Sequence, residues 1–300
     1  MKKSSISFNP GIGLLLGVFA VSTGAVFVRA AEAPALVVAA YRLGIVTIIL
    51  APIAWFKAKN EFKNFSSRDL KFTLLAGLFL ALHFAAWISS LDYTSISSSV
   101  LLVTTNPIWV GLLSPVITRD KIRIPTIIGI AMSVTGSAVI GAADFTAGGT
   151  ALWGDYLALA GSVFIAFYLM IGRNLRRKYS LLPYITLCYG SAAVILWIIV
   201  LALNMQISGF SGITWISLGC LAVIPQLIGH TIYNWALRWF SPGYIAVSLL
   251  GEPIIASILA WIIFNESLTG LKVIGGSIIL FAIYVSVSGE KHAEKRVERS

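Results

Sequence analysis

The 300-residue chain is 58% hydrophobic and 11% charged, with a mean hydropathy of +0.89 and a formal net charge of +10. This composition excludes an ordinary soluble domain, and the longest polar gap, from Lys57 to Lys71, is too short for a separate catalytic module. The basic excess raises nucleic acid as a partner, an alternative decided by how the charge is distributed along the chain.

Ten apolar stretches, at 11–30, 35–56, 70–91, 95–118, 124–142, 151–172, 183–203, 213–237, 242–264 and 271–288, fill nearly the whole sequence. About 20 helical residues cross a hydrocarbon core of about 30 Å, so the expected fold is an all-α integral membrane protein of ten transmembrane helices. Lys2 and Lys3 before the first stretch, and Ala30, Ala31 and Ala33 after it, imitate a secretory signal. The stretch is long enough to span, however, and Arg29 stands where cleavage would begin, so it is expected to be retained.

The second stretch carries Arg42, for which outward snorkelling and binding of a carboxylate are both open; snorkelling is favoured for Arg29. In the third, His83, Trp87 and Ser90 fall at i, i+4 and i+7 and share a helix face. The fourth adds Ser99, Asn106 and Trp109 near one face. The eighth carries the most polar stripe, with Gln226, His230, Tyr233 and Asn234 at i, i+4, i+7 and i+8. Lipid would penalise that stripe, and each histidine serves either a helix-to-helix hydrogen bond or a pocket wall. The ninth adds Ser248 and Glu252, the one carboxylate deep in a span; a buried charge must face the bundle interior. Capping of backbone freed by Pro253, pairing with Arg42, and substrate or proton coupling all remain open for Glu252.

Trp55, Phe56, Trp153, Tyr156, Trp239 and Phe240 sit at span ends, as an interfacial belt requires, whereas Tyr168 and Tyr189 lie deeper. Cys188 and Cys220 fall in apolar stretches without metal-ligand spacing and read as packing residues. Neither a metal site nor a cofactor site is expected. Pro107 and Pro253, at matched depths, suit hinges or static bends equally.

With the N-terminus in the cytoplasm, all of the 22 basic residues except Arg29, Arg42 and Lys272 fall on the cytoplasmic side. This bias orients both termini towards the cytoplasm of a plasma membrane. It also makes 289–300 a basic cytoplasmic tail rather than an RNA-binding arm. The partners expected are a lipid bilayer and a small-molecule substrate, and no nucleic acid; proton coupling and a homodimer are open.

Sliding the chain by 146 positions brings Ser95 onto Ser241, Pro107 onto Pro253, Asp120 onto Glu266 and Gly129 onto Gly275. Two halves of five spans follow, 11–142 and 151–288. Because five is odd, the second half enters from the opposite face, as an inverted repeat with its substrate site near the midplane.

The segment GEPIIASILAWIIFNESLTGLKVIGGSIIL (Gly251 to Leu280) resembles the closing motif of the drug/metabolite transporter superfamily. NPIWVGLLSPVITRDKI (Asn106 to Ile122) is similar to its first-half counterpart, and AAYRLGIV (Ala39 to Val46) to its arginine-bearing second helix. Asn106 stands where the family's first half has glutamate, and Arg119-Asp120 where Gly-Glu is usual. The resemblance implies two EamA-type repeats and a carrier of small organic solutes, often an exporter of amino acids or related metabolites. Import or exchange of a nucleotide-like metabolite is the alternative within that class. No phosphate-cradling glycine loop or His-Glu-x-x-His motif is present, so an enzyme is not expected. A channel and an intramembrane enzyme are the competing classes.

Overall fold

The computed structural model describes residues 10–117, 124–147, 149–240, 245, 249 and 251–297. Among them every regular element is helical: α1 (Pro10–Ser22), α2 (Gly24–Ala30), α3 (Ala35–Phe62), α4 (Ser67–Ser90), α5 (Ile96–Val103), α6 (Asn106–Ile117), α7 (Ile124–Ala147), α8 (Ala151–Lys178), α9 (Leu181–Ala202), α10 (Gly212–Leu221), a π-helical segment (Ala222–His230), α11 (Thr231–Ala236), α12 (Gly251–Phe264) and α13 (Gly270–Val297). Seven helical runs are long and apolar enough to cross a membrane, and three shorter apolar helices, Ile127–Ile140, Gly251–Phe264 and Gly270–Ala282, complete the set. The chain is thus a multi-pass helical membrane protein. Its last helix continues to Val297, through most of the basic tail.

Local chemistry sets several helix starts. Ser66, Ser95 and Ser211 accept from the backbone N–H groups of Asp69, Ser98 and Thr214 at 3.0, 3.1 and 3.2 Å, capping α4, α5 and α10. Arg176, Arg177 and Lys178 close α8, where positive charge complements the helix dipole. The first span divides at Thr23, and the fourth divides at Thr104 and Thr105, just before Asn106-Pro107. The corresponding approach to Pro253, with Ser248, lies outside the described residues apart from 245 and 249, as do Arg119 and Asp120.

The core is built by close approach of small residues. On α8, a side chain at Gly154 would stand 2.9 Å from Ser90 O, and one at Gly161 would stand 3.4 Å from Trp87 N, so α8 lies directly on α4. Gly136 and Gly275 bring α7 and α13 together in the same way. Without a hydrophobic drive between helices in lipid, such contacts are what hold the bundle. Trp55, Phe56, Trp153, Tyr156 and Trp239 are all exposed, as an interfacial belt would be, and Phe240 is half-buried.

Polar clusters mark the two ends of α4. At its start, Lys178 meets Asp69 at 3.0 Å, Tyr179 donates to Asp69 Oδ2 at 2.8 Å, and the rings of Phe65 and Tyr179 stack at 3.8 Å. At its end, Arg29 donates to Thr94 O at 3.0 Å, Thr94 to Asp155 Oδ1 at 3.0 Å and Lys272 to Ser95 Oγ at 2.7 Å. Asn265, with φ of 52°, turns the chain so that the Glu266 carboxylate accepts from Ile96 N and Ser97 N at 3.1 and 3.2 Å. Asparagine tolerates that left-handed conformation better than most residues.

Candidate functional site

Between these ends lies a cavity of about 40 Å³. That exceeds the roughly 10–15 Å³ a single water needs. Its walls come from both halves of the chain. Val21, Arg42, His83, Trp87, Val103, Thr104 and Asn106 belong to the first half, and Ile165, Leu169, His230, Tyr233, Leu249 and Glu252 to the second.

Arg42 is completely buried. Its Nε donates to Gln226 Oε1 at 2.8 Å, and its guanidinium lies 4.1 Å from the Phe84 ring centroid and 5.8 Å from that of Trp87. Cation–π contact offsets part of the cost of burial. Yet Nη1 and Nη2 are buried without a hydrogen-bond partner. Leaving charged donors unpaired is expensive. Arg42 does not snorkel: it is fully buried, with its Nε on Gln226 and its guanidinium against Phe84. Arg29, partly exposed, donates to Thr94 O at 3.0 Å at the end of the bundle.

Glu252 is 7% exposed and opens α12 in the same cavity wall. It does not meet Arg42 within ion-pair distance. The cavity therefore presents a guanidinium and a carboxylate that have not neutralised each other by contact.

Around this pair stand further polar atoms without partners: the Trp87 Nε1–H, the Tyr233 hydroxyl and the Asn106 Oδ1. His83 Nδ1 lies 2.9 Å from Gly161 O. A carbonyl only accepts, so Nδ1 carries a proton and Nε2 is the ring's other polar atom. His230 sits beside it, with ring centroids 6.5 Å apart, and both imidazoles are 6% exposed. Among the described residues, no group of three or more His, Cys, Asp or Glu side chains is placed to hold a metal ion.

The structure thus brings together Arg42, His83, Trp87, Asn106, His230, Tyr233 and Glu252 from the residues singled out in the sequence. Gln226, Asn234 and Trp109 stand outside the lining. Gln226 is buried behind Arg42. Asn234 is buried in a separate polar layer, with its Nδ2 within 2.5 Å of Tyr168 Oη, 3.0 Å of Tyr189 Oη and 2.9 Å of His230 O. Trp109 packs beside Val110, Ala166 and Met170. The break at Thr104–Thr105 separates Ser99 from Asn106 and Trp109, and Ser99 instead bonds Ser90 at 2.6 Å. The apolar lining, including Val21, Ile165 and Leu169, carried no signal that set it apart from other core residues.

Comparison with known proteins agrees with this architecture. Residues 10–142 and 152–288 each match the EamA-like transporter family. An uncharacterized transporter of Clostridium kluyveri is 24% identical over 254 residues, covering 82% of this chain and 81% of that protein. The uncharacterized transporter YxxF of Bacillus subtilis is 24% identical over 209 residues, which span 67% of this chain and 65% of the relative's length. A solved crystal structure superposes with a TM-score of 0.68 at 17% identity, covering 95% of this chain and 98% of the other, which speaks to fold alone. With a helical membrane bundle and a family match over both halves, the chain belongs to the EamA-like transporter family.

Proposed function

We propose that the protein is a secondary carrier that exports a small amino-acid-like metabolite by alternating access around the Arg42–Glu252 cavity. The observation that carries this reading is the pair of buried, unpartnered Arg42 amino groups facing a cavity that also holds Glu252. A guanidinium fork matches a carboxylate. Glu252, Asn106 Oδ1 and His83 provide the acceptors that an ammonium group requires, and Trp87 and Tyr233 flank it with apolar surface. A solute bearing both charges satisfies both sets at once, whereas a nucleotide-like solute leaves Glu252 opposed to its phosphates.

Support for two inverted five-helix units, 11–142 and 151–288, comes from the pattern of neighbours. Exchanging the halves carries the α4–α8 contact onto that of the π-helical segment with α1. The same exchange carries α4–α9 onto the π-helical segment with α3, and α5–α8 onto α12–α1, while α3–α9 and α7–α13 map onto themselves. Each of these pairs is in contact. Outward direction and placement in the plasma membrane, with both termini cytoplasmic, rest on family resemblance and on the basic residues gathered at the Asp69–Lys178 end. A carrier is favoured over a channel because the described polar groups of the site gather around one cavity between the two halves.

The test is efflux from proteoliposomes loaded with labelled amino acids and related carboxylates. Saturable efflux of at least one is expected. Absence of saturable flux for every solute, or single-channel currents across a planar bilayer, overturns the reading.

A further inference from the structure

The eighth span does not run as one α-helix. From Ala222 to His230 it is π-helical, and the Thr231 N–H reaches back five residues to Gln226 O. A π turn holds one residue more than the α-helix accommodates and is uncommon beyond single turns, where it marks functional sites. Here it contains Pro225, and Gly229 presses on α1, where an added side chain would stand 3.2 Å from Val21 N and 3.3 Å from Gly17 O.

His230, which ends this segment, and Tyr233 and Asn234, which follow it, stand between the cavity and the buried polar groups nearer the Asp69–Lys178 end. His230 and Tyr233 form the cavity floor. Below them Asn234 gathers Tyr168 of α8 and Tyr189 of α9. Its own carbonyl accepts from Arg176 Nε at 3.0 Å, and Arg176 also donates to Tyr179 O. Arg176 is 2% exposed and Tyr184, beside it in the same layer, is fully buried. Returning the π turn to α-helical period rotates all following residues by about 100°, one residue's share of a turn, and so withdraws His230, Tyr233 and Asn234 together.

Among the described residues, one side-chain hydrogen bond ties the π turn to the first half. Gln226, fully buried, accepts from Arg42 Nε at 2.8 Å, and its Nε2 has no partner. The side-chain amide makes no second hydrogen bond among the described residues, so Arg42 orients it, and it in turn sets the guanidinium with both amino groups towards the cavity.

We infer that Gln226 is a positioning residue: its bond to Arg42 holds the π-helical segment in the register that keeps the Asn234–Arg176 layer shut, linking the substrate-binding guanidinium to the gate. The inference rests on the alternating-access part of the proposed function, and not on the identity of the solute.

The chain carries its own reporter. Cys188 is fully buried on α9 between Tyr184 and Tyr189, and Cys220 is the other cysteine. In a Cys220→Ala background reconstituted in nanodiscs, N-ethylmaleimide modification of Cys188 is followed by mass spectrometry without added solute. Gln226→Met, which keeps the volume and removes the acceptor, should label at least tenfold faster. Gln226→Glu, which restores an acceptor for Arg42, should label at the parental rate. Equal rates for the parent and Gln226→Met overturn the inference, as does acceleration by Gln226→Glu to the same extent. If Gln226→Met is not recovered folded, Arg42→Met breaks the same bond from the other side and must show the same acceleration. Efflux by the parent is measured in parallel. Flux with unchanged labelling rejects the latch alone, whereas absence of flux for any solute rejects the transport reading alone.

Discussion

Arg42 and Glu252 face one cavity from opposite halves of the chain without closing into an ion pair. Had they paired, the bundle would hold a structural salt bridge. Kept apart, with Nη1 and Nη2 of Arg42 unbonded, they leave opposite charges available to a zwitterionic guest.

Arg42→Lys keeps the charge and removes the planar fork, so it should weaken binding of a carboxylate solute by about tenfold to hundredfold, in line with about 1.5–3 kcal/mol for hydrogen bonds to charged groups. Titration of purified protein by ligand-induced thermal stabilisation measures this, because the shift follows RT ln(1 + [L]/Kd). Equal affinities in both proteins would remove Arg42 from the binding site.

Glu252→Gln retains the shape of the acceptor and loses its charge. Flux should fall, and its dependence on pH should flatten if the carboxylate carries a proton through the cycle. Transport rates measured between pH 5.5 and 8.5 (about the range such vesicles tolerate, and that of physiological titration) decide between the roles. Normal flux with an unaltered profile would make Glu252 structural.

Glu266→Ala removes the side chain that caps α5 at Ile96 and Ser97. Ser95 still caps α5, but losing acceptors for two further N–H groups should cost an amount comparable to the about 0.5–2 kcal/mol of a lost cap, so the melting temperature in detergent should drop by a few degrees. Glu266→Asp, too short to reach both N–H groups, should fall between the two. An unchanged melting temperature in Glu266→Ala would show that the contact contributes nothing.

Gly136→Ala and Gly275→Ala should each destabilise the protein by about 1–3 kcal/mol, the usual range for overpacking. The new methyl group at either position would meet a backbone oxygen at 2.8 Å, that of Gly275 or Gly136 respectively. Unlike a side-chain tip, that oxygen cannot swing aside. Thermal melts monitored by tryptophan fluorescence check both, and wild-type stability in either variant would argue against so close an α7–α13 contact.

Helical membrane architecture was legible because twenty-residue apolar runs have few other uses. The burial of Glu252, His83 and His230 followed from the cost of placing them in lipid. Helical periodicity also grouped His83 with Trp87 and His230 with Tyr233 correctly. A shared face did not by itself assign a place on the cavity: Trp109, on the same α6 as Asn106, packs beside Val110, Ala166 and Met170, Asn234 lies one turn beyond His230 and bonds its carbonyl, and Gln226, inside the π segment, sits behind Arg42. Arg42 was ambiguous because its distance from the span end fits snorkelling; only the three-dimensional proximity of Gln226 and Phe84 resolves it. Propensity alone does not announce a π turn, even with Pro225 inside it.

The most direct test of the account is solute counterflow in proteoliposomes, comparing the parent with Arg42→Ala. Saturable, countersolute-stimulated uptake of a zwitterionic metabolite by the parent, lost in Arg42→Ala that still reconstitutes and melts cooperatively, is the predicted result. Equal counterflow in both proteins would contradict the claim that the buried guanidinium receives the transported solute.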